Sequence, residues 1–408
     1  MFKNSAAKIE LVEKWIFYFL CGFSFFLPLS KAAGNTFLAL ILLAFVVRLF
    51  FKRDDAIKNL AAYKDVLSVI GILFLVVFLS ALTSGHVLQG LKSFLEKYIL
   101  HAAVIFPVLC MNYERKKIIS LAKFLFVGML LSNFSVIVQA IPHLSEGHWR
   151  FGGITSGMIQ GSLLSMSLPV YVLMFMHLQD YRQKIFAFIA VIIGIIAILL
   201  TGTRGAWLAV VILIPLVVLI HSKRKLKSLA MIFLSLSLIA GITIITPTLS
   251  QRVETITDLK MQSNSERLLM WESAWQMFKD YPILGVGYGQ YKIAYQTKYI
   301  SPLAKERTLE HAHNNFMQML GECGILGFSA FVFMWIYLSR LTLRGWFKEK
   351  NIAYLLFFCV MWGMMLHGFT EFNFETSMTS KIFWYSLALF LLFTNPIKSW
   401  QGLGRKNF

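Results

Sequence analysis

Two arginines and a pair of histidines stand out in this sequence because their surroundings leave them free to do chemistry. Arg204 lies in Thr201-Gly202-Thr203-Arg204-Gly205-Ala206-Trp207, in a short connection otherwise poor in positive charge. A guanidinium there suits bidentate binding of a phosphate, and it equally suits an interfacial anchor snorkelling beside Trp207. Arg267 opens an amphipathic stretch one residue beyond Glu266. Neighbours at i,i+1 do not face each other on a helix, so Glu266 need not neutralise it, and a cation near a helix N-terminus is locally unfavourable. His311-Ala312-His313-Asn314-Asn315 precedes a helical run. Two histidines at i,i+2 could begin a metal site, but no third ligand has a recognisable spacing and no HExxH motif is present. The dipole of a helix N-terminus favours a neutral imidazole that can accept a proton, the requirement of a general base.

The stretch before these histidines is rich in aromatic and glycine residues. Leu268, Trp271, Trp275 and Phe278 recur at helical spacing until Tyr281-Pro282, and Ser263 with Glu266 has the form of a capping box. Val286-Gly287-Tyr288-Gly289 matches most of a potassium-filter signature, yet it follows an amphipathic helix rather than a pore helix between two spans. The same glycines miss the GxGxxG spacing and suggest a tight turn. Trp271, Trp275, Tyr281, Tyr288, Tyr291, Tyr295 and Tyr299 could form an interfacial belt or a platform for sugars or a lipid tail.

The elements that must position these residues are membrane helices. The chain is 57% hydrophobic and 14% charged, with mean hydropathy +0.66, whereas soluble domains are about 45–50% apolar and about 25% charged. An all-α polytopic membrane protein of about twelve spans is expected. The spans read near residues 12–31, 33–51, 66–82, 97–111, 120–140, 157–177, 184–202, 205–221, 228–246, 324–343, 352–370 and 378–394. The fourth and twelfth look short for a full crossing. Residues 1–246 therefore carry spans one to nine, 247–323 form one large loop with amphipathic helices, and 324–408 carry the last three spans and a tail.

The excess of 39 Lys and Arg over 20 Asp and Glu does not point to nucleic acid, because the charge is partitioned by loop. Lys52, Arg53, Lys58 and Lys64, then Arg115, Lys116 and Lys117, then Lys223, Arg224, Lys225 and Lys227, and finally Lys398, Arg405 and Lys406 fall in alternate connections and the C-terminal tail. By the positive-inside rule both termini face the cytoplasm and the long loop faces outward. Residues 1–32 have some features of a secretory signal, but the apolar run is long for one and the charge alternation requires it as span one. Cys21, Cys110, Cys323 and Cys359 are dispersed, without CxxC pairing, and read as packing residues.

Three stretches resemble the O-antigen ligase family. They are the Gly-Thr-Arg-Gly turn at Arg204; Arg267 followed by Trp271, Ala274 and Pro282-Ile283-Leu284-Gly285-Val286-Gly287; and His313-Asn314 followed after nine residues by Gly324-Ile325-Leu326-Gly327. The span count and the large loop between spans nine and ten extend the likeness over most of the chain. The resemblance implies a metal-independent, cofactor-free glycosyltransferase of the GT-C type in the bacterial inner membrane. Its donor would be a glycan on undecaprenyl-pyrophosphate, its acceptor a lipid A-core sugar hydroxyl, and its active site periplasmic. His313 matches the family's proposed general base, and Arg204 and Arg267 match the arginines thought to hold the donor pyrophosphate. His311, Asn314, Trp271 and Tyr288 are secondary candidates. O-antigen polymerases and protein O-oligosaccharyltransferases share the superfamily pattern. A twelve-helix transporter is the alternative from another class, although ionisable residues within the spans are few, His367 and Glu371 being the main exceptions.

Overall fold

The computed structural model describes residues 2–111, 113–146, 150–256, 258 and 260–394. Lys398, Arg405 and Lys406, on which the charge argument also drew, lie outside them. No strand occurs among the described residues, as a hydrocarbon solvent requires of any chain that does not close a barrel: only a helix satisfies its own backbone there.

The helices run α1 (Phe2–Phe26), α2 (Lys31–Ala61), α3 (Lys64–Leu82) and α4 (Val87–Phe94), followed by a π-helical turn at Leu95–Ile99 and two short pieces, α5 (Leu100–Ala102) and α6 (Ile105–Leu109). Then come α7 (Arg115–Ala140), α8 (Gly157–His177), α9 (Tyr181–Thr201), α10 (Arg204–His221) and α11 (Lys225–Ile245). The long loop holds α12 (Pro247–Glu254), α13 (Gln262–Asp280) and α14 (Tyr291–Ala294). The chain then re-enters the bundle through α15 (Asn315–Glu349), α16 (Ile352–His367) and α17 (Ser377–Thr394). Eight of these helices are long and apolar enough to cross a membrane, and α16 is a shorter apolar helix. This is a multi-pass membrane protein.

Every expected span falls on helix, but the fourth is not one helix. It is the broken series α4 to α6, whose π-turn carries Lys97. Extra residues inserted as a π-bulge re-aim side chains and are frequent at functional sites. Helix ends are set by local chemistry. Ser30, Ser156, Asp180, Asn314 and Asn351 each cap an N-terminus through the side-chain oxygen, and Gly202 ends α9 in the left-handed region at φ 59°. The expected capping box does not form. Met261 is the N-cap of α13, Ser263 accepts a bond from Arg204, and Glu266 accepts the Lys305 N–H at 2.8 Å.

The bundle is densest around α8, α15, α16 and α17, where Leu163, Phe331, Cys359, Met361, Phe383 and Tyr385 are fully buried. The loop has a small core of its own, in which Met270, Ala274 and Met277 of α13 pack on Tyr291, Tyr295 and Ala312. Two of the sequence stretches singled out above lock together at the base of that loop. α15 breaks at Gly324, with φ 61° and ψ −159°, which frees the carbonyls of Gly321 and Glu322 to accept the N–H groups of Val286 and Gly287 at 3.0 and 3.1 Å. In return Ile325 N–H donates to Pro282 at 2.8 Å. A Cβ on Gly285 would lie 2.3 Å from the Glu322 carbonyl carbon, and one on Gly324 2.5 Å from that of Ile283. Glycine is required on both sides because the two backbones touch.

Candidate functional site

His313 lies just outside α15 and is held from both sides. Asn314 caps the helix by accepting the N–H groups of Phe316 and Met317 at 2.8 and 3.1 Å, and its amide donates to Phe369 O at 2.9 Å. On the other flank Ala312 N–H donates to Gln318 Oε1 at 2.8 Å, and Ala312 O accepts the Trp271 indole N–H at 2.9 Å. Between these clamps His313 adopts a left-handed backbone, φ 46°. Few non-glycine residues do so, and such strain persists only where the surroundings enforce it.

The turn after α16 supplies the partner. Asn315 exchanges bonds with Asn373, its Nδ2 donating to Asn373 Oδ1 at 2.8 Å while its Oδ1 accepts the N–H groups of Asn373 and Phe374. That pairing brings Glu371 to His313, Oε1 to Nδ1 at 3.0 Å, with side chains 10% and 16% exposed. Burial alone would push the Glu371 carboxyl up, but the hydrogen bond from His313 and the charges of His313, His367 and His311 lower it to about 2. A carboxylate fixed on Nδ1 directs the imidazole to carry its proton there, leaving Nε2 as the basic nitrogen. Nε2 makes no hydrogen bond among the described residues.

His311 packs edge-on to His313 with ring centroids 4.2 Å apart, and against Phe372. Burial, then the neighbouring His313, lowers its pKa to about 4. Its ligand atom lies within 4.8 Å of those of His313 and Glu371, so the fold supplies the third metal-type ligand that sequence spacing did not reveal. With Nδ1 held by Glu371, Nε2 of His313 and the ring of His311 are the nitrogens left to face a ligand, and the Lys97 ammonium acts on His311 against a second cation.

The arginines approach from another side. Arg267, on α13, is half-buried, and among the described residues its guanidinium makes no hydrogen bond or ion pair. Burial lowers its pKa, with Glu371 opposing and Arg150 adding to that shift. Arg204 is heavily engaged instead. Nη1 donates to Thr255 O and Met261 Sδ, and Nη2 donates to Ser263 Oγ at 2.8 Å and Asn264 Oδ1 at 3.0 Å. It pins the connection between α12 and α13 to the rim of the bundle. All four acceptors are neutral.

Of the secondary candidates, Trp271 and Asn314 hold the His313 backbone. Tyr288 does not reach it: it is buried against Tyr98, ring centroids 5.3 Å apart. Sequence reasoning missed Glu371 as a partner, because the fifty-odd intervening residues give no periodic signal, although its charge near a span end marked it as unusual. It also missed the ion pair of half-buried Lys97 with buried Glu375 at 3.0 Å, and buried Glu322, which accepts the Tyr291 N–H at 2.8 Å. Lys97 and Glu322 had been placed at segment ends, where charge is ordinary.

The fold and site define a class: an all-α, multi-pass membrane protein with a histidine–carboxylate pair beside a rim of arginines, built where a long loop docks on the bundle. Residues 188–332 match the family model described as O-Antigen ligase, a stretch containing Arg204, Arg267 and His313 but not Glu371. An O-antigen ligase of Salmonella typhimurium is 24% identical over 305 residues, covering 71% of this chain and 74% of that protein. An uncharacterized protein of Haemophilus influenzae is 24% identical over 193 residues, 44% of this chain and 48% of its own length, so the match spans about half of that relative. The family-model match and the Salmonella relative both support a likeness of this chain to the O-antigen ligase family.

Proposed function

We propose that this protein is a metal-independent glycosyltransferase of the GT-C type. It transfers glycan from undecaprenyl-pyrophosphate to a sugar hydroxyl of lipid A-core, at the periplasmic face of the inner membrane. The observation that carries the reading is the His313–Glu371 pair at 3.0 Å, held beside the half-buried Arg267. In the reaction, Nε2 of His313 takes the proton of the acceptor hydroxyl as its oxygen attacks the anomeric carbon. The bond from that carbon to the pyrophosphate oxygen breaks, and its electron pair leaves with the pyrophosphate. Direct displacement inverts the configuration. Glu371 stabilises the imidazolium formed, and Arg267 meets the charge that develops on the leaving group.

Arg204 joins this clamp by exchange. Charge-assisted bonds to phosphate are roughly twice as strong as neutral ones, so a pyrophosphate can displace the carbonyl, hydroxyl and amide oxygens that now occupy the guanidinium. A leaving group as good as pyrophosphate leaves little for a metal to add, and the present groups suffice. The name of the Salmonella relative supports lipid A-core as acceptor over a second carrier-linked glycan.

The experiment is glycan transfer from lipid-linked donor by the full chain in nanodiscs, with products separated by acceptor. His313→Ala is expected to lose activity by a factor of 10² or more; wild-type turnover by this variant would sink the assignment. Extension of glycan on the lipid carrier, instead of transfer to lipid A-core, would mark a polymerase. Substrate flux without transfer would mark a carrier.

A further inference from the structure

Two further arginines, Arg150 and Arg252, lie on the rim described above, and the proposed reaction uses neither. Arg150 immediately precedes Phe151, whose N–H donates to Leu200 O at 3.1 Å, beside the turn that carries Arg204. Arg252 lies on α12, and its carbonyl accepts the Thr255 hydroxyl at 2.8 Å, three residues before the carbonyl that Arg204 holds. The packing beneath confirms the grouping: Phe151, Leu200, Ala206, Trp207 and Leu249 share one buried cluster. Segments from three separate parts of the chain thus converge with a guanidinium each, and α13 adds the fourth.

Cations gathered in this way repel one another. The Arg204 guanidinium is opposed by those of Arg267, Arg252 and Arg150, with Asp258 the counter-charge acting on it. Arg252 is held below its ordinary value by burial and then by Arg150. Among the described residues no ion pair relieves Arg150, Arg252 or Arg267, while acids elsewhere on the loop are paired, as in Lys292–Glu310 and Lys298–Asp280. Arg204 is occupied by the loop, so the three guanidiniums without partners are the ones able to take an anion immediately. A concentration of unrelieved like charge in a partly desolvated rim is stabilised by an anionic ligand.

We infer that Arg150 and Arg252 form the outer half of the anion site and bind the pyrophosphate most strongly as it leaves. The inference rests on the donor reading above and extends it to the product. In the donor the pyrophosphate is a diester. When the bond to the anomeric carbon breaks, its electron pair remains on the pyrophosphate oxygen, and a monoester with additional negative charge results. Groups that bind this species better than the diester lower the barrier as well as hold the product, because the charge is already growing in the transition state.

The test uses the full chain in nanodiscs and two soluble probes, farnesyl pyrophosphate and farnesyl monophosphate. The Arg150→Gln/Arg252→Gln double variant is expected to bind the pyrophosphate at least about tenfold more weakly than wild type, with a flatter dependence on salt. Its affinity for the monophosphate should fall less. Each single variant, changing only one of two separate segments, should show part of the loss, which guards against a misfolded double variant. Equal pyrophosphate affinity in wild type and the variants overturns the inference, as does an equal loss for both probes, which would indicate a diffuse surface field. His313→Ala should keep pyrophosphate binding. Full glycan transfer by that variant would instead defeat the general-base reading and leave this result standing.

Discussion

Replacing Glu371 with Gln keeps the size of the side chain and an oxygen able to accept from His313 Nδ1, and removes only the charge. The carboxyl is lowered from 4.5 to about 2 by the hydrogen bond and charge of His313 and its neighbours, against burial. That displacement corresponds to about 3 kcal/mol of preferential stabilisation of the carboxylate by its hydrogen bond and the three imidazoles together, and the carboxylate in turn favours a positive charge on the imidazole it holds. If the imidazolium forms in the transition state, losing this interaction should slow the chemical step by about two orders of magnitude. The measurement is single-turnover glycan transfer in nanodiscs at saturating donor and acceptor. We expect Glu371→Gln to lower the rate about a hundredfold with donor affinity little changed, and Glu371→Asp to recover part of it. A Gln variant within about threefold of wild type, correctly folded, would falsify the coupling of Glu371 to proton transfer.

The same carboxylate makes stability depend on pH. Its folded value lies below its unfolded one, so its contribution is complete above about pH 4.5 and is lost as pH falls towards about 2; thermal unfolding across that window should converge for wild type and Glu371→Gln. Asn314→Ala removes both the cap of α15 and the bond to Phe369 O, a cost of about 2 kcal/mol, and should lower activity by releasing His313 from its clamp; an unchanged melting temperature would contradict this. Gly285→Ala must place a methyl group 2.3 Å from the Glu322 carbonyl carbon at φ 70°. A loss of about 3 kcal/mol is expected, read as reduced thermal stability and easier proteolysis of the 262–300 loop.

The bundle was legible because hydropathy is a local property: a bilayer needs long apolar runs, and these can be counted along the chain. Alternating loop charge, the long loop and the types of Arg204, Arg267 and His313 were equally open to reading, since each is written in a short window. The capping box failed because Ser263 and Glu266 found distant partners in Arg204 and Lys305, and a competing tertiary bond leaves no trace in spacing. Span four was legible as short but not as broken, because the π-turn at Leu95–Ile99 follows from what packs around Lys97.

What the sequence by itself determined is therefore the solvent, the helical character of the apolar segments and the chemical types available at one end of the bundle. Only the tertiary structure decided which of them meet. It joined Gly285 to Gly324 across two motifs, brought Glu371 to His313 through the Asn315–Asn373 exchange, and gathered Arg150 and Arg252 beside Arg204. The physical reason is that a hydrogen bond or a charge pair needs atoms within a few ångströms, a condition that helices crossing a bilayer satisfy between residues far apart in the chain.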